Sequence, residues 1–426
     1  MTQKLKNIQT KRFHELHAAN PLQKQLNSNY FNTSVHIATN IQENPQDFLV
    51  HYQVWGKMAT NHAFDVFLCW FLAVKLALYC STTGALGAPQ IPAMFVFGDS
   101  LVDDGNNNVR ATVAQSNFYP YGIDSVQGPT GRFSNGKTIV DVLCDLLGLP
   151  YLPAQSIAGL NGTALLGGVN FASGNAGILD ETGQHLGERV ALSQQVMNFE
   201  GDWNQLRTLM GGGRAFSQYL ARSIVVMVFG SNDYINNFLL PALYSSSYNY
   251  TPQDFANLLL NHYTRQILAL HSLGLRKFLL TGIAPLGCIP EQRSTGTAPP
   301  DRCVDQVNQM LGYFNEGLRS LVQQMNTNHP GAIFAYSNTY AALGDILNSP
   351  SRYGFSIIDR GCCEIGRNQA QLYCVPLSVP CDDRNRYVFW DGLHTTQAVN
   401  SILAQRAFEG PPNDVYPINV QQMAQL

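Results

Sequence analysis

Ser100 is a residue whose type and place in the chain could support nucleophilic chemistry. It follows the apolar run Ala93–Phe97 and the pair Gly98-Asp99, so it lies where a short buried strand is predicted to end. In an open α/β sheet, ligands bind at the carboxyl ends of the strands, and the glycine permits a tight turn there. Ser100 is therefore a candidate nucleophile. Taken alone, a serine after a strand is more often a helix N-cap.

A serine hydroxyl needs a base, and Asp391 and His394 near the other end of the chain offer one. Histidine titrates closest to neutrality, and a carboxylate fixes its tautomer and stabilises the imidazolium. A separation of three residues places both side chains on one face of a helical turn. His394 is therefore a candidate general base, and Asp391 is the candidate carboxylate that would orient it. The alternatives for this pair are an N-cap aspartate with a surface histidine, or two metal ligands.

Two further positions suit the negative charge that builds on a carbonyl oxygen during acyl transfer. Such charge needs preorganised donors, namely main-chain N–H groups and side-chain amides. Gly174 lies in a glycine-rich segment, and Asn232 follows residues 223–229, the clearest strand pattern in the chain. Gly174 and Asn232 are therefore candidates for these two kinds of donor. Considered separately, each residue is also typical of an ordinary turn.

Other motifs point to different chemistry and are weaker. Residues 131–138 match the phosphate-binding pattern GxxxxGK[ST] letter for letter. That loop needs a buried strand immediately before it, whereas residues 121–130 are rich in turn-forming types, so a chance match is the better interpretation. The GxSxG and HExxH patterns are absent from the sequence. An ordinary α/β-hydrolase and the commonest kind of zinc protease therefore have no support.

The candidate residues form an ordered set, because the serine, the glycine, the asparagine and the Asp-x-x-His pair follow one another along the chain. The set and its surroundings resemble the GDSL esterases and lipases of the SGNH hydrolase superfamily, specifically the large plant group. The resemblance extends from about Ile91 to the C-terminus. Five segments carry it, at residues 98–108, 128–136, 168–174, 230–234 and 387–391. The resemblance also explains the phosphate-loop lookalike, which is the GxxxxGK[ST] match at residues 131–138, as part of a loop that is typical of the family.

The resemblance implies a flavodoxin-like three-layer α/β/α fold with a central parallel sheet. It also implies site roles: Ser100 as nucleophile, His394 as base, Asp391 as its orienting carboxylate, and oxyanion donors from the Ser100 and Gly174 N–H groups and the Asn232 amide. No metal or organic cofactor is expected. This sequence has Thr395 where the family usually has a proline after the histidine, and Gln397 in place of an acidic residue. We expect a looser turn there.

The expected activity is hydrolysis of carboxylic esters through an acyl-enzyme that water resolves. The expected partner is a small-molecule, lipid or glycan ester. Two alternatives stay open. One is an acyltransferase that passes the acyl group to a sugar or lipid hydroxyl, and the other is a binding protein that has kept the fold without turnover.

The candidate site residues must be brought together at one edge of a sheet. The apolar pattern after Ile91 predicts the strands and helices that would do so. The predicted strands are 93–97, 223–229, 277–283 and 332–336, and the predicted helices are 137–147, 252–273 and 303–325. Short apolar strands that alternate with amphipathic helices indicate a parallel sheet covered on both faces. We find no internal repeat and no low-complexity linker in this region.

Composition narrows the class of protein further. The chain has 426 residues, with 26 Lys+Arg and 29 Asp+Glu, which gives a formal charge of −3. This near neutrality provides no basic field for nucleic acid, and none is expected as a partner. Apolar residues make up 45% of the chain, which excludes global disorder. Charged residues are only 13%, a composition more typical of secreted proteins.

The N-terminal region reads differently from the rest. Residues 1–57 are polar, and residues 58–87 contain an apolar run, interrupted by Lys75, that is followed by small residues, as in a signal peptide. We predict an upstream extension that is non-native or disordered at 1–57, a signal peptide at 58–87, and a single hydrolase domain at 88–426. The mature protein is then extracellular, in the cell wall or apoplast, with no stable membrane span. Asn161 and Asn249 begin glycosylation sequons.

Cysteine count supports the same compartment. Cys69 and Cys80 fall in the predicted signal peptide, which leaves seven: Cys144, Cys288, Cys303, Cys362, Cys363, Cys374 and Cys381. Seven is odd, so at least one thiol is unpaired, and the cysteine of the apolar helix 137–147 suits that state. We predict that Cys288 pairs with Cys303. The last four allow three pairings, and a zinc site is the minor alternative.

Overall fold

The central strands of this chain are short and almost entirely apolar, which predicts burial on both faces. The computed structural model describes residues 89–157, 162–296, 302–363 and 374–426. The strands are β1 (Met94–Gly98), β2 (Gly168–Asn170), β3 (Ile224–Val228), β4 (Lys277–Thr281), β5 (Ile333–Ser337), β6 (Ile357–Gly361), β7 (Tyr387–Phe389) and β8 (Val415–Tyr416). Every residue of β1, β3 and β4 is buried.

Helices connect and cover these strands. They are α1 (Ile139–Leu147), α2 (Leu192–Leu209), α3 (Gly213–Arg222), α4 (Ser231–Asp233), α5 (Ser246–Asn249), α6 (Pro252–Ser272), α7 (Pro290–Ser294), α8 (Asp305–Asn328), α9 (Thr339–Asn348), α10 (Gln397–Glu409) and α11 (Val420–Ala424). Short 3₁₀ turns lie at Asn106–Val109, Gly162–Gly167, Gln184–Leu186, Leu286–Cys288, Pro350–Tyr353 and Arg384–Arg386, and a π-helical turn lies at Tyr234–Phe238. None of the helices in the described ranges is long and apolar enough to cross a membrane.

Among the described residues, six strands form one sheet in the order β2-β1-β3-β4-β5-β8. The first five are parallel, and β8 runs antiparallel to β5 at the edge. A separate parallel pair is formed by β6 and β7. The order 2-1-3-4-5 is flavodoxin-like, and ligands in such sheets bind at the carboxyl edge where the order reverses, here between β1 and β3.

Alternate residues of the strands enter two cores, because successive side chains of a strand point to opposite faces. Phe95 and Phe97 of β1 belong to a core shared with α2, α3, α6 and α8. Met94 and Val96 belong to a second core, shared with α1, α10 and α11. The sheet therefore lies between two helical layers, and the predicted three-layer α/β/α fold is confirmed.

The predicted elements agree with the observed ones to within a few residues, and the differences have local causes. The helix predicted from residue 137 begins at Ile139 because Thr138 is its N-cap. The Thr138 side chain accepts from the Asp141 N–H, and the Asp141 carboxylate accepts from the Thr138 N–H. We did not predict β2, whose three residues Gly168–Asn170 lie in a glycine-rich segment, and we also missed α2 and α3.

The structure confirms the two predictions made for the cysteines and decides the pairing that the sequence left open. Cys288 is bonded to Cys303, and Cys144 is free and buried. Of the three pairings left open for the last four cysteines, the structure has Cys362–Cys381 and Cys363–Cys374. Within the described ranges, no group of three His, Cys, Asp or Glu side chains is arranged to hold a metal ion. The segments 1–57 and 58–87, with Cys69 and Cys80, and the sequon residue Asn161 lie outside the described residues.

This cysteine pattern makes a direct prediction. Alkylation of the unfolded, unreduced protein followed by peptide mapping should label Cys144 and leave the other six described cysteines in disulfide-linked peptides. Alkylation before unfolding should leave Cys144 unlabelled, because its side chain is buried and burial raises the pKa of its thiol. Labelling of all seven cysteines in the unreduced protein would contradict the pattern.

A buried carboxyl group lies directly after β1. Asp99 is 1% exposed, and its Oδ1 accepts a hydrogen bond of 3.0 Å from the Leu101 N–H. Its Oδ2 is buried and has no hydrogen-bond partner among the described residues. Burial raises the pKa of Asp99 to about 7, against the opposing effects of the Leu101 hydrogen bond and the attraction of His394. The folded protein therefore holds a proton on Asp99 at pH values where the unfolded chain has lost it.

Asp99→Asn should reduce the pH dependence of stability. Because the folded pKa is raised, the wild-type free energy of unfolding falls as pH rises from about 4 to about 7. We expect the fall between pH 5 and pH 8 to be about 2–3 kcal/mol larger in the wild type than in Asp99→Asn. Urea unfolding at the two pH values measures both falls. The matched control is Glu200→Gln on the exposed face of α2, which should keep the wild-type fall; equal falls in wild type and Asp99→Asn would contradict the prediction.

Candidate active site

The end of β1 presents Ser100 at the tip of a tight turn. A Cβ atom on Gly98 would lie 2.3 Å from Val102 Cγ2, so only glycine fits where the strand ends. The Val102 N–H donates back to the Asp99 carbonyl at 3.2 Å, and the Leu101 N–H donates to the Asp99 side chain. Ser100 is not the N-cap of a helix, because the next helical turn begins only at Asn106.

The turn that follows β7 presents His394. The Asp391 Oδ1 atom accepts from the main-chain N–H groups of Leu393 at 2.9 Å and His394 at 2.7 Å, while the Trp390 N–H donates to the His394 carbonyl at 2.8 Å. The predicted helical turn is wrong, because these residues form an aspartate-stabilised loop between β7 and α10. The loop nevertheless places the carboxylate beside the imidazole.

The structure brings the candidate nucleophile, base and carboxylate together in one hydrogen-bonded chain. His394 Nε2 lies 2.7 Å from Ser100 Oγ, and Nδ1 lies 2.8 Å from each carboxylate oxygen of Asp391. A carboxylate can only accept, so Nδ1 carries the proton and Nε2 is the acceptor for the serine hydroxyl. His394 and Asp391 are buried, at 6% and 3% exposure. This arrangement can remove a proton from Ser100.

The charge on Asp391 has identifiable support. Burial alone would raise the pKa of this carboxyl group, but the attraction of His394 and the hydrogen bonds from His394, the Leu393 N–H and the Tyr121 hydroxyl outweigh it. The net result is a pKa below the ordinary range of an aspartate. Asp391 is therefore ionised at neutral pH and available to orient the imidazole.

The two departures from the family pattern, Thr395 and Gln397, each make a hydrogen bond in this turn. Thr395 Oγ1 donates to Asn400 Oδ1 at 2.6 Å, and the main chain at Thr395 bridges to β7. The Gln397 Oε1 atom accepts from the Lys137 N–H at 3.2 Å, which ties the turn to the start of α1. Both replacements therefore make hydrogen bonds of their own, and the expectation of a looser turn stays a prediction.

Asn232 lies at the carboxyl end of β3, on α4, with an oriented amide. Its Nδ2 donates to the Ala176 carbonyl at 3.0 Å, and its Oδ1 accepts from Asn236 Nδ2 at 2.8 Å. The second hydrogen on Nδ2 stays available to another acceptor. Asn232 lines the same pocket as Ser100 and His394, so it is positioned to meet a ligand there.

Gly174 differs from the other predicted donors. Its N–H already donates to Asp103 Oδ2 at 2.9 Å, and its carbonyl accepts from Asn107 Nδ2 at 3.1 Å. A Cβ on Gly174 would lie 2.9 Å from the Phe133 ring, so the turn is tightly packed on both sides. In this structure the Gly174 N–H is not a free donor, and Asp103 competes for it.

The pocket that contains Ser100 is mostly apolar. It lies along the carboxyl edge of the sheet, where β1, β3 and β4 end, and it reaches the first turn of α9. Its apolar walls are Leu101, Ile139, Val228, Phe229, Ile235, Ala284, Leu286, Ile289, Leu343, Phe389, Leu393 and Leu403. A pocket with apolar walls and a few polar groups at one end suits a small ligand that has an apolar part and one polar centre.

The phosphate-loop lookalike has a structural role. Arg132 forms two hydrogen bonds of 2.7 Å to the Asp141 carboxylate, and Lys137 Nζ lies 2.7 Å from Asp145. The described residues immediately before this loop contain no strand. The Phe133 ring lies 5.0 Å from the imidazole of the candidate base. The loop therefore braces the site, and the lysine that would bind phosphate is already paired.

Tyr121 and Glu291 contact the Asp391–His394 turn and were not predicted from the sequence. The Tyr121 hydroxyl donates to Asp391 Oδ2 at 2.8 Å. Glu291, at the start of α7, donates its N–H to the Gly392 carbonyl at 3.0 Å, and burial raises the pKa of its carboxyl group. Neither residue stands in a local pattern that indicates chemistry, because each meets the Asp391–His394 turn only through the fold.

Comparisons with known proteins identify the family of this chain. The family model described as GDSL-like Lipase/Acylhydrolase matches residues 94–407. The chain is 60% identical to GDSL esterase/lipase At1g71250 of Arabidopsis thaliana over 340 residues, which cover 80% of this chain and 91% of that protein. It is 50% identical to GDSL esterase/lipase At5g08460 of the same plant over 370 residues, which cover 85% and 94% of the two chains. It is 47% identical to GDSL esterase/lipase At1g29670, also of that plant, over 358 residues, which cover 83% and 98%. These similarities show that the chain belongs to the GDSL esterase/lipase family of carboxylic ester hydrolases.

Proposed function

We propose that this protein is a secreted serine esterase in which Ser100, His394 and Asp391 act together through an acyl-enzyme. The observation that carries the proposal is the continuous chain of contacts from Ser100 Oγ through His394 Nε2 and Nδ1 to the Asp391 carboxylate, at 2.7 and 2.8 Å. Each distance is within hydrogen-bond reach, which proton transfer requires.

In the first half of the reaction, Ser100 Oγ attacks the ester carbonyl carbon while its proton moves to His394 Nε2. The imidazolium that forms is stabilised by the Asp391 carboxylate, to which Nδ1–H remains hydrogen-bonded. The carbon–oxygen bond to the alcohol then breaks, and the alcohol leaves with the proton from Nε2. The acyl group is left on Ser100 as an ester.

The carbonyl oxygen becomes negatively charged in each tetrahedral intermediate and needs donors. The second Nδ2 hydrogen of Asn232 and the Ser100 N–H, which has no acceptor within the described part of the chain, support this role. The Gly174 N–H can join them only by sharing or leaving its hydrogen bond to Asp103. We propose Ser100, Asn232 and Gly174 as the donors, with Gly174 recruited when the oxygen becomes charged.

In the second half, water takes the place of the alcohol. His394 Nε2 removes a proton from the water, whose oxygen attacks the acyl carbon, and Ser100 leaves with that proton. Every proton moves through one imidazole, so these steps involve no cofactor. The apolar walls of the pocket support an ester with an apolar acyl part.

Secretion is part of the same proposal. Three disulfides among the described cysteines support folding in an oxidising compartment. We propose a signal peptide at 58–87 that precedes a hydrolase domain at 88–426, with an upstream extension at 1–57. Asn249 is exposed at the end of α5 and is proposed to carry a glycan, as is Asn161. The proposed destination is the cell wall or apoplast.

Ser100→Ala should abolish covalent labelling by an alkyl fluorophosphonate and lower kcat on p-nitrophenyl butyrate by about 10³-fold or more. The physical reason is loss of the nucleophile with the base and donors left in place. Labelled protein is digested and the modified peptide identified by mass spectrometry. Ser217→Ala, an exposed serine on α3, is the matched control and should behave as wild type. Labelling and turnover that persist in Ser100→Ala would reject the proposed nucleophile.

Product partition separates hydrolysis from acyl transfer. Wild-type protein is given p-nitrophenyl butyrate with and without glycerol, and free acid and glycerol ester are quantified by chromatography. We expect the free acid to remain the main product with glycerol present, because water resolves the acyl-enzyme. Glycerol ester as the main product would instead support an acyltransferase with the same nucleophile. Binding of ester without any product would support a binding protein.

A further inference from the structure

Tyr121 reaches the candidate active site from a loop between β1 and α1. It is 6% exposed, and its hydroxyl donates to Asp391 Oδ2 at 2.8 Å. The loop is fixed on both sides of the residue, because the Tyr121 N–H donates to the Phe118 carbonyl at 3.0 Å and the Gly122 N–H donates to the Ser134 carbonyl at 2.9 Å. The phenol is therefore delivered to Asp391 in one orientation.

The Tyr121 ring is held by aromatic neighbours on three sides. Its centroid lies 5.3 Å from Phe118, 6.1 Å from Phe133 and 6.1 Å from Trp390, each in edge-on geometry. Trp390 directly precedes Asp391, so the ring that packs against the phenol and the carboxylate that accepts its hydrogen bond are adjacent in the chain. This cluster also contains the disulfide-bonded Cys362, Cys363 and Cys374.

Main-chain bonds fix the Asp391 side of this contact. The Trp390 carbonyl accepts from the Cys363 N–H at 2.7 Å, and the Phe389 carbonyl accepts from the Cys362 N–H at 3.1 Å. Both cysteines are tied to the segment 374–381 by disulfides. The end of β7, which leads to Asp391, is therefore hydrogen-bonded to two disulfide-linked cysteines. These contacts hold the Asp391 carboxylate at its distance from the Tyr121 hydroxyl.

The two oxygens of Asp391 have different partners. Oδ1 accepts from the Leu393 and His394 N–H groups, whereas Oδ2 accepts from the Tyr121 hydroxyl, and both oxygens face His394 Nδ1. Without the hydroxyl, Oδ2 would lose a donor in a buried place. A buried carboxylate oxygen without a hydrogen-bond donor raises the free energy of the folded state. The carboxylate can lower it by rotating or by forming a stronger hydrogen bond with the imidazole N–H.

We propose that Tyr121 is a positioning residue of the hydrolytic reaction, which acts through Asp391 to hold the His394 ring in line with Ser100. The proposal rests on the proposed function of these three residues. Tyr121 is not among the residues that line the pocket around Ser100, and in this proposal its effect reaches the chemistry through the orientation and charge of the Asp391 carboxylate.

Tyr121→Phe in the full chain removes the hydroxyl and keeps the ring. We expect kcat on p-nitrophenyl butyrate to fall about tenfold with KM unchanged, since ester binding does not involve the phenol. We also expect the acid limb of the kcat/KM profile to move to higher pH. Without the Tyr121 hydroxyl, the negative charge of Asp391 is neutralised by fewer donors and stabilises the imidazolium of His394 more strongly. Asp99 and Glu291 also act electrostatically on His394 and are common to both proteins.

The matched control is Tyr219→Phe. This buried tyrosine donates to the Leu166 carbonyl at 3.2 Å, outside the candidate site. The same change of chemistry there should leave kcat and the acid limb as in wild type. Thermal unfolding of both variants checks the fold, and Tyr121→Phe should remain folded because the aromatic cluster keeps its volume.

A double-mutant cycle with Asp391→Asn tests whether Tyr121 acts through Asp391. We expect Tyr121→Phe to cause no further loss of kcat in the Asp391→Asn background, because residues that act as a unit are not additive. An equal tenfold loss in both backgrounds would overturn the proposal. So would a Tyr121→Phe variant whose kcat is within about twofold of wild type and whose acid limb lies within roughly 0.2 pH units of it. If Asp391→Asn and Ser100→Ala both keep the wild-type kcat, the proposed function itself fails. If both lose most of kcat and Tyr121→Phe does not, this inference alone fails.

Discussion

The candidate site depends on keeping one buried carboxylate ionised and still. Asp391 is 3% exposed, and an ion in such a place is unstable unless donors replace its lost water. Two main-chain N–H groups, an imidazole N–H and the Tyr121 hydroxyl do so here. With the carboxylate fixed, the ring of His394 is fixed, and its other nitrogen lies 2.7 Å from Ser100 Oγ.

The fold supplies the convergence that this contact needs. Ser100 and His394 are 294 positions apart in the chain. Bringing them together lowers the conformational entropy of the chain, and packing of the fold must offset that loss. Two parallel strands, β1 and β3, end side by side and deliver Ser100 and Asn232 to the edge where the strand order reverses. The β6–β7 pair, braced by two disulfides, delivers the Asp391–His394 turn from outside that sheet. The proposed nucleophile and base thus come from two different sheets, although Val388 and Phe389 of β7 pack in the same core as Phe95 and Phe97 of β1.

Much of this arrangement could be predicted from the sequence, because buried parallel strands have a strong local pattern and the family segments are long. The strands that precede Ser100 and Asn232 were predicted on apolar composition alone. What could not be predicted is set by contacts distant in sequence. The Asp391 turn is held by its own side chain instead of a helix, Tyr121 arrives from 270 positions upstream, and the Gly174 N–H is engaged by Asp103. Likewise, only the fold decides between the pairings of four closely spaced cysteines.

The most direct test of this account is a crystal structure of the protein phosphonylated at its nucleophile by an alkyl phosphonate. The phosphoryl oxygen takes the place of the charged carbonyl oxygen, and the alkyl group takes the place of the acyl chain. We expect the phosphorus on Ser100 Oγ, the phosphoryl oxygen within hydrogen-bond distance of the Ser100 N–H and Asn232 Nδ2, and the His394 ring still between Ser100 and Asp391. Phosphorus on another residue, or a phosphoryl oxygen directed away from Asn232 with the imidazole displaced from Asp391, would contradict the account.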